Sequence, residues 1–138
     1  MKTTIVHAFI VAGLLSAGSA GAGSIEVRVS GVDSSKGKVH VAVCDKATFL
    51  KECKYTATVP ARPGETVLTV KDLPTGMWAV LCFHDENQNG VLDRNFIGIP
   101  SENYGFSRDA RKPFGPPTFE QAAVEVKDAQ AVVPIKLH

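Results

Sequence analysis

The sequence predicts an all-β fold, an antiparallel β-sandwich of about seven short strands with one long ordered loop. Three observations predict it: apolar residues alternate with polar ones at a period of two, turn-forming residues separate the runs, and no stretch carries a convincing helical period. Residues 24–31, SIEVRVSG, set Ile25, Val27 and Val29 against Glu26, Arg28 and Ser30. SKGKVHVAVCD repeats the pattern through Val39, Val41 and Val43. The intervening GVDSSKG supplies turn residues, so these two runs are expected to pair as an antiparallel hairpin. YTATVP at 55–60 is a weaker strand ended by Pro60, and residues 66–70 form another, followed by a turn at Pro74, Thr75 and Gly76. MWAVLCFHD, residues 77–85, is apolar on both faces and reads as a central strand. FLKE at 49–52 offers one helical turn. Near the end, AAVEVKD and AVVPIKLH are expected to pair around Asp128 and Ala129, and Pro134 implies an unpaired edge at that point.

The first residues read as an export signal: Lys2, an apolar run from Ile5 to Leu15, and the small-residue sequence Ala20-Gly21-Ala22, with cleavage expected after Ala22. The apolar run falls short of the ~20 residues that a membrane span requires. The expected product is a periplasmic or secreted protein, not inserted in the membrane. No cysteine lies near the cut to carry a lipid anchor. Removing residues 1–22 from the 138-residue chain leaves 116, enough for one domain, residues 23–138. Lys2 is the only charge lost, so 14 basic residues face 14 acidic ones. A neutral domain without a basic run is a poor ligand for nucleic acid or an anionic membrane surface. The chain is expected to be a monomer.

Three cysteines occupy positions 44, 53 and 82. In an oxidising space Cys44 and Cys53, which close the segment CDKATFLKEC, are expected to form a disulfide bond. Cys82 lies inside the apolar run MWAVLCF and reads as a buried, unreactive thiol.

From Phe96 to Ala122 the rhythm of strands breaks. This stretch has four prolines and gathers Phe96, Tyr104, Phe106, Phe114 and Phe119. A connection so long is usually functional or disordered, and its aromatics argue against disorder. An ordered excursion folded over one end of the sandwich is expected, its aromatics either capping the core or binding a partner through Tyr104, Phe106, Phe114 and Phe119.

HDENQNGVLD, residues 84–93, precedes it. Set against a calcium loop of the D-x-[DN]-x-[DN]-G type, Asp85 takes position one, Asn87 three and Asn89 five, with Gly90 at the turn. Val91 then offers its backbone carbonyl and Asp93 falls at position nine. The spacing suits a hard cation because alternate residues of a tightly curled backbone point their oxygens inward. Position twelve holds Phe96 in place of the usual bidentate glutamate, so Glu102 is expected to fold back as the missing ligand. Such a site would bind calcium weakly, at ~0.1–1 mM. The competing reading is a polar hairpin turn whose asparagines bond their own backbone. His84 is a softer donor beside the loop, although calcium prefers oxygen.

The string from Leu73 to Ala122 resembles a bacterial family of small exported proteins, the domain-of-unknown-function family twenty-one forty-one. The resemblance rests on the HDEN-x-NG-x-LD stretch at His84–Asp93, the GIP-x-E-x-YGFS stretch at Gly98–Ser107, and the FGPP-x-F-x-x-A stretch at Phe114–Ala122. It implies an exported sandwich of transthyretin-like or Ig-like outline and supplies no activity. Asn103 stands where the family often has glycine, which bears on a local turn.

These readings lead to a non-enzymatic module whose calcium loop braces an aromatic recognition loop. The alternative is a metal-free module that binds a protein or glycan of the cell envelope through its aromatics. A hydrolase using His84 with Asp85 or Ser107 is disfavoured, because neighbours on a strand point to opposite faces.

Overall fold

The computed structural model describes residues 22–138. The expected export segment therefore lies outside the described residues, apart from Ala22, which opens the first strand. Eight strands follow in order: β1 (Ala22–Val32), β2 (Lys38–Cys44), β3 (Tyr55–Pro60), β4 (Gly64–Pro74), β5 (Gly76–Asp85), β6 (Tyr104–Phe106), β7 (Ala123–Val126) and β8 (Gln130–Lys136). They form two sheets, one ordered β4-β1-β8 and the other β3-β2-β5-β6, with β7 also on β5. The all-β sandwich predicted from the alternation is the observed architecture.

The core lies where the alternating residues of the two sheets meet. Ile25, Val27 and Val29 of β1, with Val133 and Ile135 of β8 beside them, face Val39, Val41 and Val43 of β2 and Val80 and Cys82 of β5, all at most 4% exposed. Burying each valine or isoleucine of this set is worth about 1.5–3 kcal/mol. β5 is central, as predicted. It pairs with β2 along one edge, while β6 and β7 share the other. Its outward face is covered as well, by a second cluster of Ala79, Phe106, Ala110 and Ala122 with Phe49, Leu81, Tyr104 and Phe119 around it. That second cluster explains why MWAVLCF is apolar on both faces.

Several expected pairings are corrected. β1 and β2 do not form a hairpin, because the connection through Asp33–Gly37 crosses from one sheet to the other. Both strands have one buried face, and that pattern is the same for partners within a sheet and for strands facing each other across the core. β7 and β8 likewise part to different sheets, β7 onto β5 and β8 onto β1. The β1–β8 pairing is parallel, with Ser24 opposite Gln130 and Ser30 opposite Lys136, so the sandwich is not wholly antiparallel. Pro134 sits on β8, an edge strand of its sheet, where its missing N–H costs nothing.

The segment from Phe96 to Ala122 is more regular than expected. It contains β6, a 3-10 turn at Ser107–Asp109 and a four-residue helix, α1 (Phe119–Ala122). Thr118 and Gln121 cap α1 reciprocally, each side chain bonding the other's backbone N–H. Buried Ser107 ties these pieces to the sheet by accepting from the Val80 N–H at 2.9 Å and donating to the Ala122 carbonyl. The expected helical turn at 49–52 is instead a run of hydrogen-bonded turns, with Phe49 N–H on the Asp45 carbonyl and Lys51 N–H on the Thr48 carbonyl. The Cys44–Cys53 disulfide closes that run, its Cα atoms 5.0 Å apart.

Candidate functional site

The end of β5 positions the site through its own alternation. Val80, Cys82 and His84 form the inward row, whereas Leu81, Phe83 and Asp85 form the outward row. Asp85 is nonetheless fully buried, because loop and strand close over it. Its Oδ2 accepts from the Gly90 N–H at 2.8 Å and from His40 Nε2 at 2.8 Å, and its Oδ1 accepts from the Asn89 N–H at 3.2 Å. His40 lies opposite Phe83 in the β2–β5 ladder, which puts it diagonally within reach of Asp85 and lets it stack on Phe83 at 5.0 Å. Burial pushes the Asp85 carboxyl upward, but the Gly90 N–H, His40 and the Asn89 N–H together outweigh it and hold the carboxyl below its usual range.

The loop beyond Asp85 curls around a second carboxylate. Asp93 accepts from the side-chain amides of Asn87 and Asn89, one on each oxygen. The same two asparagines use their oxygens on loop N–H groups, Asn87 on Asn89 and Asn89 on Val91. Gly90 turns the chain at φ +80°, a region that disfavours side chains. Glu102 does return to the loop. Its two oxygens accept the N–H groups of Glu86 at 3.0 Å and Asp93 at 2.9 Å, clasping both ends of the curl. Thus Asp85, Asn87, Asn89, Asp93 and Glu102 are brought together, and Val91 is exposed on the outer side of the turn.

From this base a small hairpin projects. Arg94 bridges Pro100, the Asn95 N–H donates to the Ile99 carbonyl, and Asn95 Oδ1 accepts the N–H groups of Ile97 and Ile99. Its tip bears Phe96 at 100% exposure, with Ile97 and Ile99 more than half exposed. The aromatics expected to form one patch are divided. Phe106 is buried, and Tyr104 and Phe119 are half-buried in the cluster around Phe49, with edge-on ring contacts at 6.0 Å. Phe114, at 92% exposure, is the one of the four that does not pack, and Phe96 at the hairpin tip is exposed as well.

His84 ends the core-facing row and is 1% exposed. Its Nε2 lies 2.6 Å from the Lys36 carbonyl, which only accepts, so that nitrogen carries the hydrogen. Its Nδ1 is buried without a hydrogen-bond partner. The nearest charged groups are Asp33 Oδ1 at 3.6 Å and Glu86 Oε1 at 3.8 Å. The β1–β2 turn supplies Asp33 and Lys36 and packs tightly on β5. A Cβ at Gly37 would sit 2.0 Å from the Asp85 carbonyl oxygen. Nothing in the sequence pattern singles out Asp33 or His40, because only the inter-sheet crossing and the pairing register bring them to the end of β5, whereas Glu86 follows that strand directly.

The polar side chains do not form a nucleophile–base pair. His84 meets neither Asp85, which bonds His40, nor Ser107, which is spent on backbone groups of β5 and α1. Cys82 is a free, buried thiol whose pKa burial pushes far upward, away from reactive thiolate. A depression of about 380 Å³, lined by Arg108, Asp109, Val124 and the edge of β8, shares no residue with the loop. Among the described residues no helix is long and apolar enough to cross a membrane.

Fold and site together define a β-sandwich module with a polar, carboxylate-clasped loop at one end of its central strand. Residues 27–133 match the family described as "Uncharacterized protein conserved in bacteria (DUF2141)", and the chain belongs to that family. Searches of curated proteins and of solved structures returned no match.

Proposed function

We propose that this chain is an exported, non-enzymatic sandwich module whose acidic loop takes up one weakly bound calcium ion and so braces the projecting loop as a recognition surface. The observation that carries this reading is the position of Asp93, a carboxylate held by the neutral amides of Asn87 and Asn89. In the calcium form those amides would turn their oxygens to the ion, joining Asp85, Asp93, the Val91 carbonyl and Glu102 as the oxygen donors that a hard cation needs. A donor set of three carboxylates and several neutral oxygens agrees with a weak site of ~0.1–1 mM. Calorimetric titration of chelator-treated protein tests it. Calcium heat that disappears in Asp93→Ala supports the ion, and no heat with wild-type protein removes it.

A second reading dispenses with metal and makes the module a binder of an envelope protein or glycan. It is favoured by the exposure of Phe96, Ile97, Ile99 and Phe114. Capture of envelope components by wild type but not by Phe96→Ser would support it. Identical capture by both proteins would count against it.

A further inference from the structure

We propose that Asp33, His84 and Glu86 form a second metal site, distinct from the oxygen loop, for a divalent first-row transition ion of the zinc class. One ligand atom from each residue lies within 4.8 Å of the others. Acidic side chains near one another are ordinary, but the histidine between them is not. With Nε2 donating to the Lys36 carbonyl, His84 directs Nδ1 toward two carboxylates, and that buried nitrogen has no hydrogen-bond partner. A metal ion between the three groups would satisfy the buried nitrogen and both carboxylates at once.

The distances suit such an ion. Bonds of about 2.0–2.2 Å in tetrahedral array put neighbouring donor atoms about 3.3–3.6 Å apart. Nδ1 already stands 3.6 Å from Asp33 Oδ1 and 3.8 Å from Glu86 Oε1. The two acidic side chains are 62% and 46% exposed, so they can close the remaining gap while leaving a fourth position to water.

The surroundings hold the donors in place. The Lys36 carbonyl fixes the imidazole's orientation and tautomer, an arrangement usual for metal-bound histidine. Asn103 donates to the other Asp33 oxygen at 3.2 Å, and Glu102 holds the Glu86 backbone. One imidazole nitrogen with two carboxylates selects a borderline ion over calcium, whose preference is for oxygen alone.

Zinc binding to the chelator-treated full chain, titrated with excess calcium present, separates this site from the oxygen loop, since failure of the calcium reading leaves the zinc titration unaffected. One equivalent of zinc is expected to bind and to shift the His84 Nδ1 resonance in nitrogen NMR. Asp33→Asn and Glu86→Gln, both at exposed side chains that do not endanger the fold, are each expected to weaken binding about tenfold or more. Zinc that does not bind, that binds equally to both variants, or that leaves the His84 resonance unmoved overturns the site. So does a His84 ring that carries hydrogen on both nitrogens in zinc-saturated protein.

Discussion

Asp85 heads an alternating run of acids and amides, a position that reads in the sequence as the first ligand of a cation loop. In the structure its oxygens accept from the N–H groups of Asn89 and Gly90. Its third donor, His40, is illegible in the sequence because it depends on the register between β2 and β5. Replacing Asp85 by Asn sets an amide N–H against those donors, at an expected cost of about 1–3 kcal/mol near neutral pH, read from denaturant melts. The acid dependence follows from the direction of the shift. The folded carboxyl lies below the ordinary value of 3.8, so its contribution is complete above that value and is lost as the pH falls through the lower folded one. Asp109, held low by Arg111 and His138, adds in the same sense. Stability of the wild type should therefore fall more steeply below about pH 4 than that of Asp85→Asn. Parallel acid profiles would show that the Asp85 charge contributes nothing.

Among the secondary-structure elements, the strands are legible and their partners are not. The alternation in β1, β2 and β4 and the doubly apolar β5 are set by local burial, which a sequence records residue by residue. Whether consecutive strands pair or face each other depends on the direction of the turn between them. The tight GVDSSKG connection thus reads like a hairpin and is a crossing. The short β6, three residues long, escapes a reading by alternation because its pairing with β5 comes from the packing of Tyr104 and Phe106 on the outer cluster. The cysteine bridge is readable because it spans only a short run, Cys44 to Cys53. For so short a loop the chain-entropy model gives about 2.5–3 kcal/mol, and reduction should lower stability by that order in chemical denaturation. Thiol titration should find no reactive group in the folded, oxidised protein and one, Cys82, after denaturation. Reaction of Cys82 in the folded state would contradict its burial.

Over the molecule as a whole, one end of the sandwich collects what the chain has scattered. The β1–β2 turn brings Asp33, β2 brings His40, β5 brings His84 and Asp85, and the following loop brings Asp93 and Glu102. Sequence spacing discloses the contiguous part of that end, residues 84–93 with Glu102, and misses the part assembled by the crossing between sheets. Ligand linkage offers a global readout. Calcium at ten times its dissociation constant should stabilise the fold by about 1.4 kcal/mol. That corresponds to a rise of roughly 4–8 °C in Tm for a domain of this size, and a flat calorimetric trace would remove the ion.

The parallel contact between β1 and β8 has a kinetic consequence. The middle strand of the smaller sheet acquires its second neighbour only when the last strand arrives, so the chain must close its longest loop before that sheet is complete. High contact order of this kind places folding in the milliseconds-to-seconds range characteristic of sandwiches, and stopped-flow refolding should find it there. During translation β1 can pair with β4 but waits for β8. One edge of the central strand of that sheet therefore stays open until nearly the whole chain has been made.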